Sequence, residues 1–353
     1  ISYSKMGETY GSLGQLDSAL SYYQQYKRLK ESLVSADPRN VGFQNGLAIS
    51  YSKMGETYGS LGQLDSALSY YQQYQGLMKS LVSADPRNVG FQNGLAISYV
   101  KLGETFGSLG QLDSALSYYQ KDLEISESLV SDDPRNVSFQ NGLAISYVKL
   151  GEISVELGAY EEAEGYYKQA AAIWEKLVII APKYVEFQRF LSLIQERIQK
   201  LEDLPILILQ YQIQQTQDTT QIYAYYAALV DTLRSRISQQ PRYVEDLSQS
   251  LNSHAWYGLF LGAFTQAEAL IQEAMALPYE NVYLPINLAP ALLFQGKKKE
   301  ALKVYGSYRD QPFEVKTYAD AFLDDMKAFE KAGIIPEAYK ADVEEVKQLL
   351  SNP

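Results

Sequence analysis

His254 is the only histidine of the 353 residues, and there is no cysteine. Thiolate metal sites, disulfides, a cysteine nucleophile and a multi-histidine zinc site are thereby excluded. No Ser or Cys motif accompanies His254, so a packed, hydrogen-bonded histidine is expected there rather than a catalytic base. Glu161, Glu162 and Glu164 open a helix, where carboxylates favour the dipole. Asp324 and Asp325 are helical neighbours that face different ways, which does not make a metal pair. GSLG at Gly11, Gly59 and Gly107 has no strand before it and no Lys after it, so it is not a phosphate loop. A net charge of −11 argues against nucleic acid and against a polybasic membrane patch, and no stretch of 18 uncharged apolar residues occurs. No enzyme, cofactor or metal is therefore expected, and binding chemistry remains. Its candidates recur: Asn45, Ser52 and Glu56 return as Asn93, Val100 and Glu104, then as Asn141, Val148 and Glu152. An Asn amide both donates and accepts, which suits an extended peptide backbone, and a glutamate favours a basic ligand.

The elements that carry these residues repeat every 48 positions, from Ile1, Ile49, Ile97 and Ile145. The first two copies differ only at positions 27, 28, 30 and 31, so each unit packs against a near-copy of itself. Phe43, Leu47, Tyr51, Met54, Tyr58 and Leu61 form one helical stripe, with Asn40 as N-cap after Asp37-Pro38. Gly62 ends that helix, and Leu64 to Leu81 marks a second. No period-2 segment competes, and the fold class is all-α. Gly7, Gly55, Gly103 and Gly151 sit inside the first helix, where glycine costs about 1 kcal/mol relative to alanine. They predict close helix approach, with Ala19, Ala67, Ala115 and Ala163 of the second helix at the facing contact.

This pattern resembles the tetratricopeptide repeat (TPR) family: Tyr51, Met54-Gly55, Tyr58, Gly62, Ala67, Tyr71 and Pro86 stand at its signature positions. The unit is longer than the family's usual 34 residues and is similar to a long-repeat variety common in bacterial proteins, often beside effector domains. Gly262 and Ala267 return as Gly296 and Ala301 at the ordinary spacing of 34. The expected organisation is one continuous solenoid. It comprises four long repeats over 1–181, an irregular helical segment over 182–242, two ordinary repeats over 243–311 and a capping helix pair over 312–353. Within the middle segment Val185–Leu201 reads as a fifth long first helix, Pro205 as an interruption and Gln214–Gln221 as a loop or kink. The resemblance implies a right-handed superhelix whose concave groove is lined by the Asn and Glu ladders, with Ile49, Ile97 and Ile145 on its floor. Chaperone-binding members clamp a terminal carboxylate with Lys and Asn. Here Glu56, Glu104 and Glu152 occupy the Asn position, which argues against such a clamp.

Thirty tyrosines stand against 12 Phe and 2 Trp. Tyr3, Tyr10 and Tyr23 with their equivalents are core signature positions, while Tyr22, Tyr70, Tyr118 and Tyr166 are expected at the outer side or the next unit, packed with the hydroxyl at the surface. The chain opens within a repeat, without an initiator Met, and reads as a piece of a longer protein; a cytoplasmic location is expected. Residues 1–96 carry eight basic and seven acidic side chains, so the net acidity lies further along. The expected function is a non-catalytic scaffold that binds a partner peptide or helix, with some basic character, or regulates an adjoining effector domain. Self-assembly through near-identical repeats is the alternative.

Overall fold

The computed structural model describes residues 2–238 and 240–351, which form sixteen α-helices. The chain divides into two compact units, Ile1–Glu202 and Asp203–Pro353. The first contains the pairs α1 (Tyr3–Ser12) and α2 (Leu16–Ala36), α3 (Val41–Ser60) and α4 (Leu64–Ala84), α5 (Val89–Ser108) and α6 (Leu112–Asp132), and α7 (Val137–Glu156) and α8 (Tyr160–Ile180). Packing runs from each helix to the next, the contact pattern of a helical-pair solenoid.

Local chemistry explains where these helices start and stop. Asn40, Asn88 and Asn136 cap α3, α5 and α7, their side-chain oxygens accepting from the backbone N–H of Phe43, Phe91 and Phe139. The side chains of Gln44 and Gln92 donate to the carbonyls of Pro38 and Pro86 at 2.6 and 2.7 Å, tying each loop to the helix it opens. Gly62 and Gly110, both at φ +72°, turn the chain between the two helices of a pair in a region that side chains disfavour.

The helix glycines mark close approach, but alanine is not what they meet. A Cβ at Gly103 would stand 2.5 Å from Cε1 of Tyr119, and Gly7, Gly55 and Gly151 lie in the same way under Tyr23, Tyr71 and Tyr167. Ala67 instead faces Gly59, at 3.9 Å from a Cβ built there. The tyrosine one turn beyond the alanine fills the gap because a flat ring reaches the bare backbone, whereas a methyl cannot span it. Replacing Gly103 with Ala is expected to destabilise the chain by about 1–3 kcal/mol through overpacking, despite the better helix propensity. Thermal melting checks this, and a second change, Tyr119→Leu, should recover part of the loss.

The adjacent tyrosines do not turn outward. Tyr22, Tyr70 and Tyr118 stack on Tyr10, Tyr58 and Phe106 of their own first helices, with centroids 5.2–5.4 Å apart. Tyr166 lies against Tyr147 at 6.3 Å. The tyrosine excess is therefore mostly packing between the two helices of a pair.

Helix α9 (Val185–Gln215) contains Pro205, where a break was expected. Proline removes one N–H and costs about 3 kcal/mol in a helix interior. Packing of Ile198 and Leu201 before it, and of Ile206, Leu209 and Ile213 after it, offsets that cost. The chain leaves the helix at 216–218, within the Gln/Thr-rich stretch, and Asp218 caps α10 (Thr219–Ile237).

The second unit pairs α11 (Val244–Phe260) with α12 (Phe264–Ala276), α13 (Leu284–Leu293) with α14 (Lys298–Tyr308), and α15 (Tyr318–Ala332) with α16 (Lys340–Ser351). One apolar cluster runs through it, from Ile206 to Leu350. Gly262 and Gly296 have φ of +74° and +80°, so they are turn residues and not counterparts of the helix glycines. The place of Gly55 is taken here by Ala255 and Ala289, both fully buried, as are Ala267 and Ala301. A two-residue antiparallel pair, Pro312–Phe313 with Lys316–Thr317, is the only sheet among the described residues. It ends in a capping box in which Thr317 and Asp320 exchange hydrogen bonds, starting α15.

Candidate functional site

The first helices α3, α5 and α7 present the recurring residues, and the structure sorts them by exposure. Ile49, Ile97 and Ile145 are 41, 42 and 39% exposed, a repeated apolar row. Ser52 is buried. Val100 joins the cluster of Ala115, Tyr119, Leu150 and Ile153, and Val148 packs with the cluster of Ala144 and Trp174. These three positions belong to the edge of the core, because the next first helix covers them. The open face is thus narrower than its sequence stripe, consisting of Asn, Ile and Glu.

The asparagines are not equivalent. Asn45 is half-buried and Asn93 exposed. Asn141 accepts a hydrogen bond from Nε1 of Trp174 at 2.9 Å, a donor that replaces Met78 of the second repeat and therefore has no counterpart there.

The glutamates already have cations from their own chain. Glu56 pairs with Lys53 at 3.1 Å. Glu104 pairs with Lys101 at 3.2 Å and with Lys149 at 3.1 Å. Lys149 also reaches Glu152 at 3.4 Å, and Arg197 of α9 closes the row on Glu152 at 2.7 Å. The Arg197 guanidinium lies over the Tyr167 ring at 5.7 Å. Burial pushes the Glu104 carboxyl up, but Lys101 and Lys149 outweigh it and hold the group below its ordinary value. Lys149 is pushed down by burial and held up by Glu152 and Glu104, with the net shift upward. Such half-exposed pairs each contribute little to stability, but they neutralise the face. A cleft of about 340 Å³ lies between α3 and α5, lined by Glu56, Ser60, Tyr71, Lys101, Glu104 and Ser108.

Two polar features in the cores were not read from the sequence as sites. Asp122 and Ser126 stand where the second repeat has Tyr74 and Met78. Asp122 is 3% exposed, and burial, opposed by a weaker Ser146 contribution, pushes its carboxyl up to about 6. The signal was present where Asp122 and Ser126 replace an aromatic and an apolar residue of the preceding repeat. Asp325 of α15 lines a second-unit cavity, described below, while its neighbour Asp324 pairs with Lys316 and Lys327. His254 is buried as expected, but neither ring nitrogen has a hydrogen-bond partner within the chain. Its ring lies 4.3 Å from that of Tyr223. Burial, then the nearby Arg234, push it down to about 4, so it is neutral at physiological pH and cannot take up a proton there. No group of three or more His, Asp or Glu suited to a metal ion occurs among the described residues. No helix there is long and apolar enough to cross a membrane.

Two models described as tetratricopeptide repeat match the chain, one over residues 95–136 and 143–178, the other over 2–33 and 48–77. Residues 2–33, 48–77, 95–136 and 143–178 carry tetratricopeptide repeats. No curated protein sequence matches it. Among solved structures, TPR-like folds are similar at low identity. The apo form of RapI is 16% identical, with 97% of this chain and 98% of that chain covered and a TM-score of 0.41. BtubC from P. vanneervenii is 17% identical, covering 75% of this chain and 94% of that chain, TM-score 0.39. The TPR2AB domain of yeast Sti1, in its pHSP90 complex, is 13% identical, covering 86 and 97%, TM-score 0.35. TPR repeats are interaction repeats, and a protein-interaction scaffold is the general function they support here.

Proposed function

We propose that the first unit captures an extended or helical peptide segment of a partner protein on the face formed by α3, α5 and α7. The observation that carries this reading is the row Ile49, Ile97 and Ile145, three large apolar side chains left about two-fifths exposed at equivalent positions of successive first helices. Asn45 and Asn93 flank the row and offer donors and acceptors to a peptide backbone. The Lys–Glu row beside it is internally compensated, so this face selects apolar anchors more than charge.

Peptides selected from a random library against the full chain provide the test. Burying one isoleucine is worth about 1.5–3 kcal/mol, so Ile97→Glu should weaken a selected peptide at least tenfold by calorimetry. Ser69→Glu, on the exposed side of α4, should leave its affinity unchanged. Unchanged binding in Ile97→Glu and in the triple variant at 49, 97 and 145 would reject this face.

A further inference from the structure

In the second unit, a cavity of about 360 Å³ opens between α10, α11, α13, the short hairpin and α15. Its walls are aromatic. Tyr226 and Tyr257 stack with centroids 5.7 Å apart, and Tyr283 and Phe313 meet edge to face at 5.2 Å. Trp256 adds a further ring. Asp325 is the only carboxylate in the lining, and its Oδ2 is buried with no hydrogen-bond partner in the chain. The one basic residue of the lining, Lys316, is engaged by Asp324 at 2.9 Å. Aromatic faces attract cations, and a buried carboxylate oxygen without a donor needs one. The first-unit glutamates already have such partners, but Asp325 does not form an ion pair with Lys316.

We propose that this cavity receives a cationic side chain, arginine or lysine, of a partner peptide, held by the Asp325 carboxylate and the surrounding aromatic rings. It extends the reading that the chain captures peptides, and it involves none of the residues on which that reading rests. Asn252 and Asn287 complete the rim, the Asn287 amide donating to Oδ1 of Asn252 at 2.9 Å. Without a ligand, burial pushes the Asp325 carboxyl up to about 7, with Lys316 opposing and Asp324 adding to the shift. The other ionisable groups around it are Tyr226, Tyr257, Tyr283 with its partner Glu314, and fully buried Tyr305 of α14. Burial pushes the Tyr257 and Tyr305 hydroxyls up and the hydrogen bond to Glu314 pushes Tyr283 up, so these three stay protonated at neutral pH, where Asp325 titrates. A cation favours its ionised form, so binding strengthens as pH rises through 7.

The probes are N-acetyl-arginine methylamide and its neutral isostere, N-acetyl-citrulline methylamide, titrated into the full chain and followed by the indole N–H resonance of Trp256. The arginine probe should bind at least tenfold more tightly than the citrulline probe, and about tenfold more tightly at pH 8 than at pH 6. Asp325→Asn should abolish both differences. That variant removes a buried unpaired charge, so it is not expected to unfold the protein, and the citrulline and pH comparisons use the unaltered chain in any case. Equal binding of the two probes, or no binding of either, overturns the proposal. So does an Asp325→Asn variant that changes only the melting temperature, which would make the carboxylate a partner of Tyr305 alone. Loss of peptide binding in Ile97→Glu tests the first-unit face separately, so the two ideas fail independently.

Discussion

Asp122→Tyr combined with Ser126→Met is expected to stabilise the protein by about 3 kcal/mol at pH 7. The pair restores what the second repeat has at Tyr74 and Met78, and the receiving surface is nearly the same. Phe91, Gly94, Leu95 and Ser98 of α5, which accept Tyr74 and Met78, return in α7 as Phe139, Gly142, Leu143 and Ser146. A Cβ at Gly94 would meet Met78 Sδ at 2.6 Å, whereas nothing lies within 4 Å of one at Gly142, so the third repeat has room for the larger side chains. What stands there now is a buried carboxylate with an unpartnered oxygen, beside a Ser146–Ser126 hydrogen bond of 3.0 Å.

The pH dependence gives the sign. The folded carboxyl is raised from 3.8 to about 6, so the folded state binds more protons than the unfolded state between those values. Stability therefore falls as pH rises through that window, by about 3 kcal/mol in total, and the full penalty is present at neutral pH. Asp122→Asn should remove this part of the pH dependence, and the double variant should also add buried apolar area. Melting curves of the three proteins from pH 3 to 7 check it. Parallel profiles for the unaltered and Asp122→Asn chains would show that the carboxylate is not held as described.

Trp174→Ala is expected to cost about 3–5 kcal/mol, the largest loss from any single change considered. Trp174 is 3% exposed and packs among Ala144, Tyr167, Leu177, Phe187 and Ile194. Its ring lies 5.3 Å from that of Phe190, and its indole N–H is held by Asn141. Truncation thus opens a cavity at the junction of α7, α8 and α9 and frees the Asn141 amide. Trp174→Phe retains most of the packing and should cost less, with about 1 kcal/mol of its loss coming from the hydrogen bond. Denaturant unfolding gives the magnitudes. Hydrogen exchange should place the loosening at α7–α9, and a uniform effect over α1–α4 would contradict this assignment.

Much of the fold was legible because a near-exact repeat exposes its own rules. The 48-residue spacing, the Asn caps and the turn glycines are local features that appear in the helices as read. What lies opposite a residue was less legible. Gly55 signals an approach, but only coordinates show that the approaching group is Tyr71. Pro205 reads as a break because local chemistry says so, while the packing that sustains α9 comes from residues distant in sequence. The Glu ladder looked like an offer to a basic ligand until Lys149 and Arg197, one from a neighbouring repeat and one from α9, filled it. The second-unit cavity draws on residues from Tyr226 to Asp325 in four helices and a hairpin, so no spacing announces it.

The central claim is that partner peptides lie on the first helices of the N-terminal repeats. A library-selected peptide carrying a benzoylphenylalanine, photolysed on the full chain and mapped by mass spectrometry, tests it most directly. Cross-links to α3, α5 and α7 around Ile49, Ile97 and Ile145, lost in Ile97→Glu, are the result predicted here. Cross-links confined to α4, α6 and α8 would contradict it.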